Sequence, residues 1–297
     1  GIMITASHNP FCDNGIKLLN SNGEKAEESL TDLVKDYLDG KSELPFATGE
    51  NIGRTVDYVS GRNRYLGYLI SIASHSYKNL KIGIDCANGA SWMIAKSVFA
   101  ALGAQTIVIG AEPDGLNVNE NCGSTHIEKL CKLVKEQHLD VGFAFDGDAD
   151  RCIAVDGNGE IVDGDKMLYI LGKRLKSRGM LAHNMVVSTI MSNSGFFASL
   201  EEAGIKCEQT NVGDRFVYEC MQEKDYCFGG EQAGHIILKK YATTGDGLLT
   251  AIMIGEEICD SKLNLKELAS PVKLYPQYTK NVRVKDKAAV LKDSAVL

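Results

Sequence analysis

KIGIDCANGASWMIAKSVFAALGAQTIVI, Lys81 to Ile109, decides the fold. Ile82, Ile84 and Cys86 alternate as a strand. An apolar helix is predicted from Trp92 to Leu102, Gly103 stops it, and Thr106 to Ile109 return as a strand, one β-α-β unit. A second unit follows about a hundred residues later: Val186 to Ile190 as strand, Phe196 to Ala203 as helix, Gly204 as its stop and Ile205 to Gln209 as strand. Such a pair predicts duplicated α/β domains.

Between the units, Thr125 and Glu128 have the spacing of a capping box for a helix presenting Ile127, Leu130, Cys131 and Val134. The buried strand Val141 to Phe145 comes next, and a helix spans Asp165 to Lys176. Ahead of the first unit, Glu24 to Asp39 carries a stripe of Ala26, Leu30, Leu33, Val34, Tyr37 and Leu38 ended by Gly40. A further amphipathic helix carries Tyr65, Leu69, Ile72 and Ala73. Boundaries are placed near Ser76, Gly179 and Ser270, dividing the chain into 1–76, 77–178, 179–270 and 271–297.

Composition narrows the function. The 297 residues suffice for two domains, or three small ones; 44% are hydrophobic and 24% charged, and no apolar run is long enough to span a membrane. A net charge of −7 without a block of Lys and Arg argues against a nucleic-acid partner. Nine scattered cysteines, none in C-x-x-C spacing, read as reduced thiols in a cytoplasm, with a zinc site as the alternative. The chain opens at Gly1 without a leader-like segment and reads as a fragment.

Three motifs carry chemistry. Asp146-Gly-Asp-Ala-Asp150-Arg151 follows an apolar strand; three carboxylates so close repel one another unless a hard divalent cation compensates, the alternative being a solvated acidic turn. An EF-hand would need Gly where Arg151 stands and Glu where Gly157 stands, so that reading fails. A phosphatase using the first Asp as nucleophile is weakened by Asp150 at a position where Thr or Val is usual. Thr5-Ala-Ser7-His8-Asn9-Pro10 places a serine in a turn at a strand end, where its hydroxyl could carry a phosphate or simply form a turn. A serine hydrolase is a poor fit, with no G-x-S-x-G and His8 directly adjacent. Lys17 would offset phosphate charge or take a hydroxyl proton. Gly229-Gly-Glu231-Gln-Ala-Gly234-His235 offers short donors and acceptors suited to sugar hydroxyls, or is a Gly-rich turn. Gly213-Asp214-Arg215 and Thr243-Thr-Gly-Asp246-Gly247 could each be a turn with a helix cap.

Taken in order, T-A-S-H-N-P, D-G-D-A-D-R and G-E-x-x-G-H resemble the α-D-phosphohexomutase family over nearly the whole chain. The resemblance implies successive similar mixed-sheet α/β domains facing a central cleft. It implies Ser7 as phosphoserine, and Asp146, Asp148 and Asp150 with Ser7 as ligands of Mg²⁺. Lys17, Arg151 and His235 would be catalytic, and His8, Asn9, Arg215, Glu231, Gln232 and His235 would contact the sugar. Gln232, Asn117-Val-Asn119, Val212-Gly-Asp-Arg215 and Thr243 to Gly247 resemble the branch acting on glucosamine phosphates, while Ala233 stands where a Ser is common. The implied reaction interconverts glucosamine 6-phosphate and glucosamine 1-phosphate through a sugar 1,6-bisphosphate, supplying amino-sugar nucleotides for cell-wall synthesis. The implied partner is a hexosamine phosphate in the cytoplasm, with a homodimer compatible. Rivals are a glucose or mannose phosphate mutase, a non-catalytic sugar-phosphate-binding fragment and a metal-dependent phosphatase. The resemblance further implies chain before the serine motif and a last domain with an R-x-S-G-T-x-P-like loop. Tyr278 to Leu297 would be at most its first strand and helix, with Lys280, Arg283, Lys285 and Lys287 as a solvated face. On that reading the 297 residues alone are expected to be a poor mutase.

Overall fold

The computed structural model describes residues 1–278, 280, 282–284, 286 and 290. Lys285, Lys287 and most of the expected start of a last domain therefore lie outside the described residues. In chain order, strands β1 (Ile2–Thr5) and β2 (Gly15–Leu18) form a hairpin, followed by helices α1 (Glu28–Leu38) and α2 (Val59–Ile72). Then come β3 (Lys81–Asp85), α3 (Ala95–Ala101), β4 (Gln105–Ile109), α4 (Glu128–Glu136), β5 (Val141–Phe145), β6 (Cys152–Asp156), β7 (Ile161–Val162) and α5 (Gly164–Ser177). The chain continues through β8 (Met185–Thr189), α6 (Ser194–Glu202), β9 (Lys206–Thr210), α7 (Asp214–Glu223), β10 (Phe228–Gly230), β11 (Ile236–Leu238), α8 (Gly247–Ser261) and α9 (Leu265–Ala269).

The two larger sheets repeat one topology. The first runs β4-β3-β5-β6-β7 and the second β9-β8-β10-β11. In each, the first strand in sequence is flanked by two parallel partners, and the next strand folds back antiparallel on the third. Parallel neighbours require helical crossovers, which cover the sheet faces and explain why β5 is buried at every residue. Helices α5 and α8 pack on each other, α5 touches β6 and β10, and α8 touches β5 and β6, so one apolar core runs from the first sheet into the second. Across that seam Arg174 of α5, almost wholly buried, reaches Glu257 at 2.5 Å and Asp260 at 3.3 Å on α8. Such a buried cation is tolerated because carboxylates surround it.

Several sequence expectations are corrected. The helix expected over Trp92 to Leu102 is a 3-10 turn, Ala90–Met93, followed by the shorter α3, and Trp92 is left partly exposed. Gly103 and Gly204 do stop their helices, at φ of 96° and 65°, a region glycine enters without a Cβ clash. The Thr125–Glu128 capping box does not form. Helix α4 begins at Glu128, so that residue lies in the first position rather than the third, and the cap position is held by Ile127 without a side-chain bond. The helix expected from Glu24 begins at Glu28, because Lys25 bridges to Leu19 as a strand would. Its apolar stripe is not buried: no residue of α1 is, and Leu33 and Leu38 are exposed. By contrast α2 buries Leu69 completely and packs Tyr65, Ile72 and Ala73 on the core, against α3 and α8.

Candidate active site

Three hairpins of the same kind present the three sequence motifs. The last pair of β1/β2 is Thr5 with Gly15, that of β5/β6 is Phe145 with Cys152, and that of β10/β11 is Gly230 with Ile236. Ser7 thus lies on the first hairpin's loop, Asp146 to Arg151 form the second, and Glu231 to His235 form the third. The loops dock on one another through backbone. Gly147 N donates to Ser7 O at 3.0 Å, Cys152 N donates to Gly234 O at 3.0 Å, and Arg151 and His235 form an isolated bridge.

The acidic cluster lies where these loops meet. One carboxylate oxygen from each of Asp146, Asp148 and Asp150 lies within 4.8 Å of the others. Ser7 Oγ is 3.5 Å from Asp146 Oδ2 and 3.2 Å from His8 Nδ1. Lys17, projecting from β2, donates to Asp148 Oδ2 at 2.6 Å and to Asp150 Oδ2 at 3.1 Å. Thr5 Oγ1 donates to the same Asp148 oxygen at 3.1 Å while accepting from Ser7 N at 2.8 Å. Arg151 N donates to Asp146 Oδ1 at 3.1 Å, whereas its buried Nε has no partner.

Electrostatics follow from burial first. Asp146, with no exposed surface, has its carboxyl pushed up to about 8 by burial and then by the charges of Asp150 and Asp148. Burial acts on Asp148 in the same direction, but the hydrogen bond and charge of Lys17 outweigh it and hold this carboxyl below its usual range. Burial lowers Lys17, yet Asp148 and Asp150 more than compensate, so the ammonium is held charged. His235 is 3% exposed, and burial lowers its pKa despite Asp150 and Asp214 nearby, so the ring is neutral. Neither of its nitrogens has a hydrogen-bond partner; Nε2 is 3.6 Å from Asp214 Oδ2 and 3.9 Å from Asp150 Oδ2.

These residues fit a divalent cation. Asp148 Oδ1 and Asp150 Oδ1 are buried without any partner, and three carboxylates outnumber the two cations, Lys17 and Arg151, around them. Among the described residues no other group of acidic, His or Cys side chains has metal-binding spacing, and all nine cysteines are unpaired. No helix among them is long and apolar enough to cross a membrane.

Of the residues singled out in the sequence, Ser7, Lys17, Asp146, Asp148, Asp150, Arg151 and His235 converge, with His8 beside Ser7. Glu231 accepts from Gly213 N at 3.1 Å; Gln232 contributes its carbonyl to Gly164 N at 3.0 Å; Asn9 contributes its carbonyl to Asn119. Arg215 is exposed and spent on Glu219 at 2.6 Å and Glu28 at 3.9 Å, outside the acidic cluster. Asp246 is a helix cap, accepting from Leu249 N at 2.9 Å at the start of α8 and from Tyr65 Oη at 2.9 Å. Thr5, Asn119 and the ion pair of Lys25 with Asp214 were missed as site residues; three of them stand inside quoted motifs, but their partners lie more than a hundred residues away.

Comparisons with known proteins agree with the fold. Residues 1–44, 63–159 and 163–275 match domains I, II and III, each alpha/beta/alpha, of phosphoglucomutase/phosphomannomutase. Over the full chain, the sequence is 57% identical to a phosphoglucosamine mutase of Lachnospira eligens and 54% to one of Lachnoclostridium phytofermentans, and it spans 66% of each. An Oceanobacillus iheyensis phosphoglucosamine mutase is 46% identical and 67% covered. A phosphoglucomutase/phosphomannomutase family protein of Burkholderia thailandensis superposes with a TM-score of 0.76 at 23% identity, over 92% of this chain and 58% of that one. An Aspergillus fumigatus N-acetylphosphoglucosamine mutase, in complex with GlcNAc-6P and magnesium, superposes at 0.70 and 18% identity, over 97% of this chain and 76% of that one. With its repeated sheets, its three converging loops and these relatives, the chain belongs to the phosphoglucomutase/phosphomannomutase family of α-D-phosphohexomutases.

Proposed function

We propose that the whole protein, of which these residues span about two thirds by the length of its relatives, interconverts glucosamine 6-phosphate and glucosamine 1-phosphate. The observation that carries this is Ser7 Oγ standing 3.5 Å from Asp146 at the edge of a carboxylate cluster with unpartnered buried oxygens. A serine there can hold a phosphate between two half-reactions, as a mutase requires. The preference for glucosamine rests on relatives at 46–57% identity that bear that activity in their names, and magnesium on the fungal structure that contains it.

Asp146, Asp148 and Asp150 would hold Mg²⁺ together with an oxygen of the phosphate on Ser7. When bound, the ion supplies positive charge that neutralises phosphoryl oxygens during transfer. In the first half-reaction the bond from phosphorus to Ser7 Oγ breaks as a sugar hydroxyl oxygen bonds to phosphorus, giving the 1,6-bisphosphate and leaving the hydroxyl proton on Ser7 Oγ. The second half-reaction returns the other phosphate to Ser7. Neutral His235, with both ring nitrogens free, is suited to receive and pass on the hydroxyl proton. Lys17 is held charged and suits charge compensation rather than proton abstraction, and Arg151 adds a second cation. Glu231 and Gln232, with His8 and Asn9, would meet the sugar; Arg215 would have to leave Glu219 to do so. The unpaired thiols accord with a cytoplasmic enzyme.

The test uses the whole protein. Intact mass should show one phosphate gained on exposure to a sugar 1,6-bisphosphate and lost in Ser7→Ala, whose turnover of glucosamine 6-phosphate should be abolished. Full turnover by Ser7→Ala, or release of inorganic phosphate instead of the isomer, would overturn the reading.

A further inference from the structure

Ser7 is not in a relaxed conformation. Its φ is 51°, the left-handed region that a residue with a Cβ enters only at a cost. Something must hold it, and the grip is on its carbonyl. Ser7 O accepts from Gly147 N at 3.0 Å and from Asn119 Nδ2 at 2.8 Å, and the same Nδ2 donates to Asn9 O at 2.8 Å. One amide group thereby spans the turn that carries the hydroxyl.

Asn119 is built for this. It is 5% exposed, anchored by its own N–H to Ala87 O at 2.9 Å, and itself left-handed at φ 58°, a conformation Asn tolerates better than most residues. Its Oδ1 is buried without a partner, so the side chain is placed for what its nitrogen donates. Gly147 explains the second residue of D-G-D: a Cβ there would lie 2.5 Å from Ser7 O and 3.0 Å from Asn119 Nδ2. Bare backbone at this position lets the serine loop come close enough to take the Gly147 N–H.

We infer that Asn119, together with the N–H of Gly147, forms a seat that fixes where Ser7 Oγ stands against the acidic cluster, making Asn119 a positioning residue for phosphoryl transfer. The inference rests on the reading of Ser7 as the phosphate carrier. The hydrogen bonds of the Asn119 side chain go to neither the cluster's carboxylates nor the hydroxyl; it acts through the Ser7 and Asn9 carbonyls.

In the whole protein, Asn119→Ala should lower kcat for glucosamine 6-phosphate roughly 10- to 100-fold, the scale of an ångström-level misplacement, with KM and the Mg²⁺ dissociation constant changed by less than about twofold. Hydrogen–deuterium exchange over Ala6 to Asn9 should accelerate at least about tenfold while exchange in β5 stays unchanged. Gly147→Ala, which leaves the amide in place but crowds the carbonyl, should reproduce the loss of kcat. An Asn119→Ala protein with wild-type kcat, a loss no greater than its loss of folded fraction, or unaltered exchange would each overturn the inference. Failure of wild-type Ser7 to exchange phosphate would overturn the proposed function instead, and the exchange measurement then decides on the seat by itself.

Discussion

Binding of Mg²⁺ should weaken about tenfold for each pH unit below about 8, because one ligand must first lose a proton. Asp146 has no exposed surface, and burial followed by the charges of Asp150 and Asp148 pushes its carboxyl up to about 8, outweighing the N–H and the charge of Arg151, which act the other way. At pH 7 most metal-free molecules then keep that proton. For a cation that displaces it, the apparent dissociation constant scales as one plus the ratio of protonated to ionised carboxyl. That is about 100-fold weaker binding at pH 6, about tenfold at pH 7 and about twofold at pH 8, relative to the alkaline limit. Stability moves consistently. An acid whose pKa is raised on folding contributes stability below its ordinary value near 3.8 and loses it as pH rises through about 8, so the metal-free protein weakens towards alkaline pH and Mg²⁺ should raise Tm most there. Calorimetric titration in two buffers of different protonation enthalpy, at pH 6, 7 and 8, measures both the affinity and the proton released, expected to approach one per Mg²⁺ as pH falls below 8. Equal affinity at pH 6 and pH 8, with heats independent of buffer, would refute the assignment of Asp146 as a buried, proton-bearing ligand.

Asp165, at the start of α5, is fully buried, has Oδ1 without a partner, and has its carboxyl pushed up to about 6 by burial. Its favourable contribution is present below pH 3.8 and lost as pH rises through about 6, a cost of about 3 kcal/mol at pH 7. Asp165→Asn keeps an acceptor for Asn193 N and should flatten the change in urea-unfolding stability between pH 5 and pH 7; an unchanged slope would exclude this source. Gly164→Ala would place a Cβ 2.1 Å from Glu231 O and should cost about 1–3 kcal/mol while disturbing the third loop. Gly67→Ala, inside α2 with open space around it, should instead gain about 0.5–1 kcal/mol. Thermal unfolding of the pair reads the contrast, and equal effects would show that the close approach at Gly164 is not felt.

Local pattern determined a good part of this protein from sequence alone. Val141–Phe145 was legible because an unbroken apolar run is what a strand covered on both faces requires. The glycine stops and the α2 stripe were legible because helix ends and faces depend on neighbours three or four residues away. The same logic misjudged α1, whose stripe has the right spacing but lies exposed in the structure, and it misjudged Thr125, which stands two residues ahead of the cap position Ile127 because Glu128 opens the helix instead of taking its third position. The three motifs could be named, along with the carboxylate crowding that asks for a cation. What they do to each other was decided by tertiary structure. The contacts of Lys17 with Asp148, of Asn119 with Ser7 and of Arg151 with His235 join residues 131, 112 and 84 positions apart. No periodicity encodes such separations. They arise because similar hairpins on successive sheets point their loops at one place, where burial lifts Asp146, Lys17 restrains Asp148 and a missing side chain at Gly147 lets the serine loop close.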